Sequence, residues 1–587
     1  MDKPQLSQDD VEASEKLVAQ DGKIEIRPPS IATPLNGDTR IDLVEVRQAF
    51  VGMGKEELMK FANDPFWVRL RWSLFVFFVL LWFGMLGGAI AIIAYAPKCS
   101  APEERQWFEK SPLYSLNADQ IKDSNGNDLP LADGLLLLKD HLQNLGIKSL
   151  LLDVDLEDSE DFKSLPKKYG SQESLKKALS TLREADIHTF LKIVPNHASV
   201  NHPWFAKSVQ KEDPYTSYFV WARGKDANSN TPETNFPNNW ISYEGGSAWE
   251  WNSNRSEFYL HQANASYADF NFRNKEVVDY FADLYKFWLD FGFCGLHLEK
   301  LVFLVEDEEL RDELTSSLNL GNLGDYKFLT HANTAETEES YELIKKWADV
   351  IANNSGVLSV DEISETSVTE PIKFVQRPFV LEKGVTSLQD QLKSYIEKLT
   401  VKPYQTWAVD TANSAEMSIQ TKVALNILFM LLPRTSVVPA GIELGQLPGE
   451  PIRLPISAIG ETGTASRANS STEFSIQAFR KIAGLRESPS IELGKMSFVD
   501  GKSSALLLSR LKDGNPGVLI ALNLDQPEQY ITISELIEQQ LGESFRIVAA
   551  SKTFEEANAD KLSTVLDNSA ISLPTESFAV LEFVRAS

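Results

Sequence analysis

The longest uninterrupted run of apolar positions in the chain extends from residue 72 to residue 96, and it contains no charged side chain. About 20 apolar residues cross the hydrocarbon core of a bilayer, so this run predicts a transmembrane helix. A cleaved signal peptide would have a shorter apolar region close to the N-terminus, whereas 71 residues precede this run. Those residues, 1–71, predict a largely disordered region with a short juxtamembrane helix at 53–65.

Beyond the predicted span, short apolar runs alternate with segments of helical periodicity. The segment that begins at Ser171 places four apolar residues on one face of a helix: Leu175, Ala178, Leu179 and Leu182. The runs that we predict as strands are 111–116, 147–156, 188–195, 294–299, 327–332, 357–361, 406–410 and 436–440. Strands that alternate with helices in this way predict an α/β fold, a (β/α)8 TIM barrel, at residues 107–490.

Two further regions differ in pattern from the barrel. A Trp-, Asn- and Gly-rich stretch at about 198–270 is too long for a plain loop, so it predicts a subdomain inserted after the third strand. Residues 491–587 consist of short β-type runs and turns such as DGNPG at 513–517, which predict a C-terminal antiparallel β-sandwich. Residues 97–106 are the predicted extracellular neck between the span and the barrel.

The composition, 43% apolar and 24% charged, is typical of a folded protein, and the net charge is −26. So acidic a surface repels phosphate backbones, which argues against nucleic-acid binding. A slight excess of basic residues before the span favours a cytoplasmic N-terminus, hence a single-pass type II protein. Four sequons after the span are compatible with a glycosylated extracellular part: Asn254, Asn264, Asn353 and Asn469. We predict no metal site and no cofactor.

The chain has only two cysteines, Cys99 and Cys294, which excludes a disulfide-rich scaffold. Cys294 lies in an apolar, strand-like context and is predicted to be a small buried residue. Cys99 follows the span by three residues, and an unpaired thiol at the outer membrane surface suggests an intermolecular disulfide. A Cys99–Cys294 bridge is disfavoured, because it would tie the neck to the barrel interior, but it stays open as an alternative.

Several motifs carry a resemblance to a known family. They are DSNGN at 123–127, KKYGSQESL at 167–175, VPNHASVNHPWF at 194–205, PNNWISYEGGSAWEW at 237–251, FYLHQ at 258–262 and AGIELG at 440–445. With them, residues 107–587 resemble the α-amylase/α-glucosidase family, and maltase-type α-glucosidases in particular. The resemblance implies a catalytic barrel with an inserted domain after strand three and a C-terminal β-sandwich.

That family cleaves glycosidic bonds with a carboxylate nucleophile and a general acid on strand ends. The resemblance places the nucleophile, normally the Asp of Gly-Phe-Arg-x-Asp, at Glu299 of GLHLE (295–299). His297 then replaces the Arg that holds the nucleophile, and the longer Glu displaces the carboxylate. The general acid, a Glu on strand five, is expected within 328–333, where His331 and its neighbours supply no carboxylate.

Other positions of the family's pocket are retained only in part. On strand three, Lys192 stands where the family has an Asp, and strand seven keeps only Asp410 of an Asn-His-Asp sequence. Asp161, His197 and Asp410 are candidates for a residual sugar pocket, although inheritance of a scaffold, with polar side chains that satisfy one another, is the favoured explanation. Because both reacting carboxylates are lost or altered, we predict that the barrel is not a hydrolase.

A second resemblance lies at the membrane. Residues 51–99, with KEEL at 55–58, WVRLRW at 67–72 and APKC at 96–99, resemble the heavy chains of heteromeric amino-acid transporters. The resemblance implies a subunit that escorts a multi-pass light chain to the plasma membrane, with Cys99 as the disulfide link. A smooth face of small residues allows close helix packing in the span: Gly84, Gly87 and Gly88. The insert at 198–270 departs from the best-known vertebrate chains of this type, which have shed most of it.

Two other functions stay open at the level of sequence. One is a membrane-anchored α-glucosidase that uses Glu299 and an unrecognised acid. The other is an adhesive or sugar-binding ectodomain, suggested by the tryptophans of 237–251, although such tryptophans are also typical of a protein core.

Overall fold

The structure is a computed structural model that describes residues 55–95, 105–226, 231–317, 321–361, 363, 371–381, 387–399, 405–409, 417–456, 470–500, 503–539, 541–562, 564–566 and 570–585. The chain divides into two compact units, Met1–Pro102 and Glu103–Ser587, which we describe separately.

The described part of the first unit, residues 55–95, contains two helices, α1 (Lys55–Ala62) and α2 (Pro65–Tyr95). Pro65 suits the first turn of a helix because its missing N–H would have no partner there. At 1.5 Å per residue, the 31 residues of α2 extend about 46 Å, which exceeds the ~30 Å core of a bilayer. Among the described residues, α2 is the one helix long and apolar enough to span a membrane.

The second unit is built around a parallel sheet of eight strands, in the order β13-β12-β11-β10-β4-β3-β1-β14. The sheet closes on itself, because Trp407 of β13 forms a parallel bridge with Ser436, next to β14. The strands are β1 (Leu113–Asn117), β3 (Ser149–Asp153), β4 (His188–Ile193), β10 (Gly295–Leu298), β11 (Val357–Val360), β12 (Phe374–Phe379), β13 (Gln405–Val409) and β14 (Val437–Pro439). The predicted (β/α)8 barrel is therefore confirmed.

Helices surround the barrel, and their apolar faces form one large core with the outer faces of the strands. Ser171 accepts a hydrogen bond from the Ser174 N–H, which caps α4, and the predicted apolar residues of this helix are buried. The helices of this unit are α3 (Leu131–Asn144), α4 (Gln172–Glu184), α5 (Pro203–Val209), α6 (Lys275–Phe291), α7 (Glu338–Asn353), α8 (Leu388–Leu399), α9 (Ile419–Leu431), α10 (Ser470–Leu485), α11 (Pro489–Glu492), α12 (Ile533–Glu538) and α13 (Lys552–Ala557).

The prediction of a strand at 327–332 is wrong. Residues Tyr326–Phe328 form a 3-10 turn, and Leu329 makes only an isolated antiparallel bridge with Thr315. The fifth barrel strand is β11 instead, and the sixth, β12, was not predicted. Strand β12 contains Pro378 and is only partly buried, so its pattern lacks the continuous apolar run typical of a parallel strand.

The inserted subdomain contributes small antiparallel sheets next to the barrel mouth, with an apolar cluster of its own. Its strands are β5 (His197–Ser199), β6 (Trp221–Ala222), β7 (Trp249–Asn252), β8 (Glu257–Leu260) and β9 (Tyr267–Asp269). Another parallel pair joins β2 (Ile121–Asp123) to β15 (Ile452–Leu454).

The C-terminal region is an antiparallel five-stranded sheet, in the order β16-β17-β18-β22-β20, together with the two-stranded pair β19-β21. The two layers enclose a separate apolar cluster that includes Phe545, Phe554 and Phe583. The strands are β16 (Lys495–Phe498), β17 (Leu506–Leu511), β18 (Gly517–Asn523), β19 (Gln529–Thr532), β20 (Ser544–Ala550), β21 (Ala570–Leu573) and β22 (Ser577–Val584).

Candidate functional site

The carboxyl ends of three adjacent barrel strands bring a cation and two carboxylates together. Lys192 of β4 lies between Asp153 of β3 and Glu299, which directly follows β10. The Lys192 Nζ is 3.0 Å from Asp153 Oδ2 and 3.1 Å from Glu299 Oε2. Since all three side chains are largely withdrawn from water, this ion-pair cluster is shielded from solvent screening.

His297 supports the same cluster from within β10. Its Nε2 lies 3.4 Å from Glu299 Oε1, and its Nδ1 lies 2.9 Å from Ser359 Oγ on the neighbouring strand β11. His297 is also the register partner of Lys192 across β10 and β4. The family's Arg on this strand is absent, and Lys192 supplies a cation from the adjacent strand.

The ionisation of the cluster follows from these contacts. Burial opposes charge on Glu299, but attraction to Lys192 and to the nearby His297 imidazole holds its pKa well below the usual range. Burial likewise opposes charge on Lys192, but Glu299 and Asp153 together hold its pKa above the usual range. Glu299 is therefore an ionised carboxylate, paired with a cation that it shares with Asp153.

A second carboxylate follows the fifth strand. Asp361 comes directly after β11, and its Oδ2 accepts a hydrogen bond of 2.7 Å from the Lys300 backbone N–H. Burial, with a further contribution from repulsion by Glu299, raises the pKa of Asp361 to about 7. The expectation that no carboxylate stands at the end of strand five is wrong, because it rested on the incorrect strand at 327–332.

His331 does not occupy a catalytic position on a strand. It lies in a turn with a positive φ of 59°, stacked on the Tyr326 ring at a centroid distance of 3.5 Å. Its Nδ1 lies 3.3 Å from Thr334 Oγ1. The residue is a packed element of the loop that precedes α7.

The candidates for a residual sugar pocket differ in their surroundings. Asp161 is exposed and accepts hydrogen bonds from the Tyr280 hydroxyl of α6 and from the Lys163 N–H. His197 is buried in β5, where burial lowers its pKa to about 4. Asp410 lies outside the described residues.

The tryptophans of 237–251 that suggested a sugar-binding surface belong to the core. Trp240 and Trp249 are each 1% exposed and stack at a centroid distance of 5.6 Å.

Of the sequons, Asn254 lies in the exposed turn between β7 and β8, and Asn353 ends α7 in an exposed position, whereas Asn264 is half-buried. Asn469 lies outside the described residues.

Of the two cysteines, Cys294 lies within the described residues and Cys99 does not. Cys294 is 7% exposed, and its Sγ accepts a hydrogen bond from Arg183 Nη2 at 3.2 Å and lies 3.6 Å from His188 Nδ1.

In helix α2, a Cβ added at Gly84, Gly87 or Gly88 would meet no atom within 4 Å, so this small-residue face is open within its unit.

The chemistry of this arrangement is that of a pocket in which two carboxylates share one cation. Among the described residues, no group of three or more His, Cys, Asp or Glu side chains could hold a metal ion. The sequence had flagged Lys192 as a replacement, but only the register of β3, β4 and β10 shows that it binds two carboxylates at once.

Comparison with known families agrees with both resemblances. The model for the N-terminus of solute carrier family 3 member 2 matches residues 38–114. The model for the α-amylase catalytic domain matches residues 120–402.

Individual relatives come from both groups. The amino acid transporter heavy chain SLC3A1 of Rattus norvegicus is 26% identical over 74% of this chain and 67% of its own length. The human protein of that name is 25% identical over 68% of this chain and 62% of its own length. Maltase 1 of Drosophila virilis is 28% identical over 58% of this chain and 59% of its own length.

Solved structures support the fold of the ectodomain. An α-glucosyl transfer enzyme superposes with a TM-score of 0.64 at 19% identity, over 82% of this chain and all of its own. The trehalose-6-phosphate hydrolase of Bacillus licheniformis superposes with a TM-score of 0.62 at 15% identity, again over 82% of this chain and all of its own. At this level of identity, the match concerns the fold alone.

The N-terminal match includes helix α2 and the sequence around Cys99, and the amylase match includes the second to the sixth barrel strands. The chain is thus a membrane-anchored relative of the amino-acid transporter heavy chains, with an ectodomain of the α-amylase fold.

Proposed function

We propose that this protein is the non-catalytic heavy subunit of an amino-acid transporter. In this role it binds a multi-pass light chain, is linked to it by a disulfide at Cys99, and carries it to the plasma membrane. The chain is oriented as a type II protein, with the barrel outside the cell. The observation that carries the proposal is the match of residues 38–114 to a transporter-subunit N-terminus, which contains the span and Cys99.

The glycine face of α2 supports a partner within the membrane. Helices associate in lipid by close packing, and small residues three to four positions apart allow their backbones to approach. Gly84 and Gly88 have this spacing, and Gly87 widens the patch. A light-chain helix that packs on this face would bring its own extracellular end near Cys99, so the disulfide would lock a pair already formed in the bilayer.

The ion-pair cluster at the barrel mouth supports a role without hydrolysis. A retaining glycosidase needs a carboxylate free to attack the sugar and a second carboxyl group that donates a proton. Here Glu299 is longer than the family's Asp, it shares the Lys192 cation with Asp153, and His297 replaces the Arg that holds the nucleophile in the family. The barrel then serves as a folded ectodomain and not as an enzyme.

The proposal is tested on non-reducing gels of membranes from cells that make the full chain. Wild type should migrate in a larger complex that collapses on reduction, and Cys99→Ser should abolish that complex. Cys294→Ser is the matched control, because Cys294 is buried and should leave the complex intact. If Cys99→Ser left the large complex unchanged, the covalent part of the proposal would be refuted.

One observation favours a second candidate function, a membrane-anchored α-glucosidase. Glu299 is held ionised while the pKa of Asp361 is raised to about 7, and such a division is typical of a nucleophile and a general acid. The test is hydrolysis of maltose or an aryl α-glucoside by the purified full chain. We expect no activity above that of Glu299→Gln, whereas activity that Glu299→Gln and Asp361→Asn both abolish would establish the glucosidase.

A further inference from the structure

The two helices of the first unit meet in a bend, which we call the elbow and define as residues 55–71. Between α1 and α2 lie only Asn63 and Asp64, so a chain of about 3.3–3.6 Å per residue keeps the end of α1 within ~11 Å of the start of α2. Because α2 is the membrane-spanning helix, α1 must lie close to the membrane surface.

The elbow exposes an unusual amount of apolar surface. In α1, Leu58, Phe61 and Ala62 recur at helical spacing and form one stripe, while Glu56 and Lys60 lie on the opposite side. Leu58 is 60% exposed and Phe61 is 44% exposed. This stripe continues into a groove between the two helices, lined by Leu58, Phe61, Ala62, Trp67 and Arg71.

Two side chains of the elbow bind backbone groups at the bend. The last carbonyls of a helix have no partner within it, and Arg71 reaches back from α2 to donate a hydrogen bond from Nη2 to the Ala62 carbonyl. At the start of α2, Asp64 Oδ1 accepts a hydrogen bond of 2.8 Å from the Phe66 N–H. Unsatisfied backbone groups are costly in a lipid environment, so this internal pairing suits a bend that is immersed in the interface.

Charge and aromatic residues point to the same environment. Four basic side chains, Lys55, Lys60, Arg69 and Arg71, outnumber three acidic ones in the elbow by one, and both arginines lie at the start of the span. Trp67 lies at the base of the span, where Trp is enriched because its ring is apolar and its N–H is polar. Residues 65–71 extend about 10 Å along α2, enough to cross a headgroup layer of about 5–7.5 Å.

From these features we infer that the elbow is a lipid-binding element that lies in the headgroup layer at the N-terminal end of the span. Its stripe of Leu58, Phe61 and Ala62, together with Trp67, contacts the acyl chains of phospholipids, and Arg69 contacts the phosphates. Bound in this way, α1 fixes the depth and rotation of α2 and hence the direction in which the glycine face points. The inference requires the membrane anchor but not a transporter partner.

The experiment uses the full chain without any partner, in nanodiscs of phosphatidylcholine and phosphatidylserine. Single cysteines replace Leu58, Phe61, Glu56 or Lys60 in a Cys99→Ser background, and each carries an environment-sensitive fluorophore. Wild-type Cys294 is buried and serves as the background for labelling. Quenching is measured with lipids that carry a nitroxide near the headgroup and, separately, with a water-soluble quencher.

We expect lipid quenching to be at least several-fold stronger at positions 58 and 61 than at positions 56 and 60, and aqueous quenching to show the reverse order. Because the two pairs of positions lie on opposite faces only if α1 is a helix, this difference in quenching also shows that α1 is helical in the labelled proteins. If all four positions were equally open to the aqueous quencher, the inference would be overturned. Protection of positions 58 and 61 only after addition of a transporter subunit would overturn it too, because it would assign the stripe to a protein partner.

Discussion

At the scale of single residues, the barrel mouth differs from a glycosidase by a relocation of charge. The cation that the related family places on strand four is replaced by His297, and Lys192 supplies a cation from the register partner on strand three. Lys192 then holds Glu299 and Asp153 in one cluster. Each substitution is visible in the sequence. That Lys192 makes up for the lost Arg is not, because the cluster combines side chains from three strands and only the strand register shows that they meet.

Lys192→Met tests how much this cluster stabilises the ectodomain. The substitution leaves Glu299 and Asp153 without their shared cation. A surface ion pair contributes ~1 kcal/mol, and breaking a buried one costs ~3–5 kcal/mol. Because these pairs are partly exposed, we expect the variant to lose about 2–3 kcal/mol of unfolding free energy. Thermal unfolding measures it, with Lys167→Met at a 93% exposed side chain as the control. Equal unfolding temperatures for the two variants would contradict this account.

Asp361→Asn tests the buried carboxyl group through pH. Since the folded protein raises the pKa of Asp361 to about 7, it retains a proton that the unfolded chain loses near pH 4. Wild type therefore loses unfolding free energy as pH rises from about 4 to about 7, and the Asn variant lacks this contribution.

The measurement for Asp361 is the difference in unfolding free energy between Asp361→Asn and wild type across this pH range. We expect the variant to gain relative to wild type as pH rises. Asp513→Asn, in an exposed turn, should show no such trend. A difference that stayed constant with pH, or that fell, would show that Asp361 is ionised throughout.

At the scale of elements, sequence pattern predicted those with a simple period. The helix that begins after Ser171 has the buried residues expected, and the strand predicted at 188–195 is found at His188–Ile193. The pattern failed where an apolar run was short, at 327–332, and where Pro378 and polar residues interrupted a barrel strand. That one error in strand five hid Asp361, because a residue's place at a strand end depends on counting the strands correctly.

The junction between the barrel and the C-terminal sheet also depends on contacts that no pattern predicts. Arg510 of β17 is 1% exposed and donates hydrogen bonds to backbone carbonyls at the end of α9 and around α11. The distances are 2.9 Å to Leu431 and 3.2 Å to Gly494. Its side chain thus ties the β domain to a barrel helix through main-chain atoms.

Arg510→Met should weaken this junction, because the buried carbonyls lose their donors while the apolar volume is kept. Unsatisfied buried acceptors cost about 1–3 kcal/mol each, so we expect a loss of about 3 kcal/mol in unfolding free energy. Limited proteolysis should then cleave between the two parts sooner than in wild type. Arg546→Met, at a 66% exposed position, is the control, and equal cleavage rates in both variants would exclude a joining role for Arg510.

At the scale of the whole molecule, the chain joins a transporter-subunit N-terminus to an amylase-type barrel. The sequence identified both parts, because the apolar span and the barrel motifs are long and specific. The sequence also predicts that the partner binds at Cys99 and not at the barrel mouth. In the structure, the barrel mouth contains the ion pair of Glu299 and Lys192. The account therefore assigns the protein's function to an assembly at the membrane.

The most direct test of that assignment is to identify what is bonded to Cys99. The full chain is purified from membranes without reductant, its free thiols are blocked, and disulfide-linked peptides are sequenced by mass spectrometry. The account predicts that Cys99 is linked to a cysteine peptide from a multi-pass membrane transporter. Cys99 found as a free thiol, or linked to Cys294 or to a second copy of this chain, would contradict it.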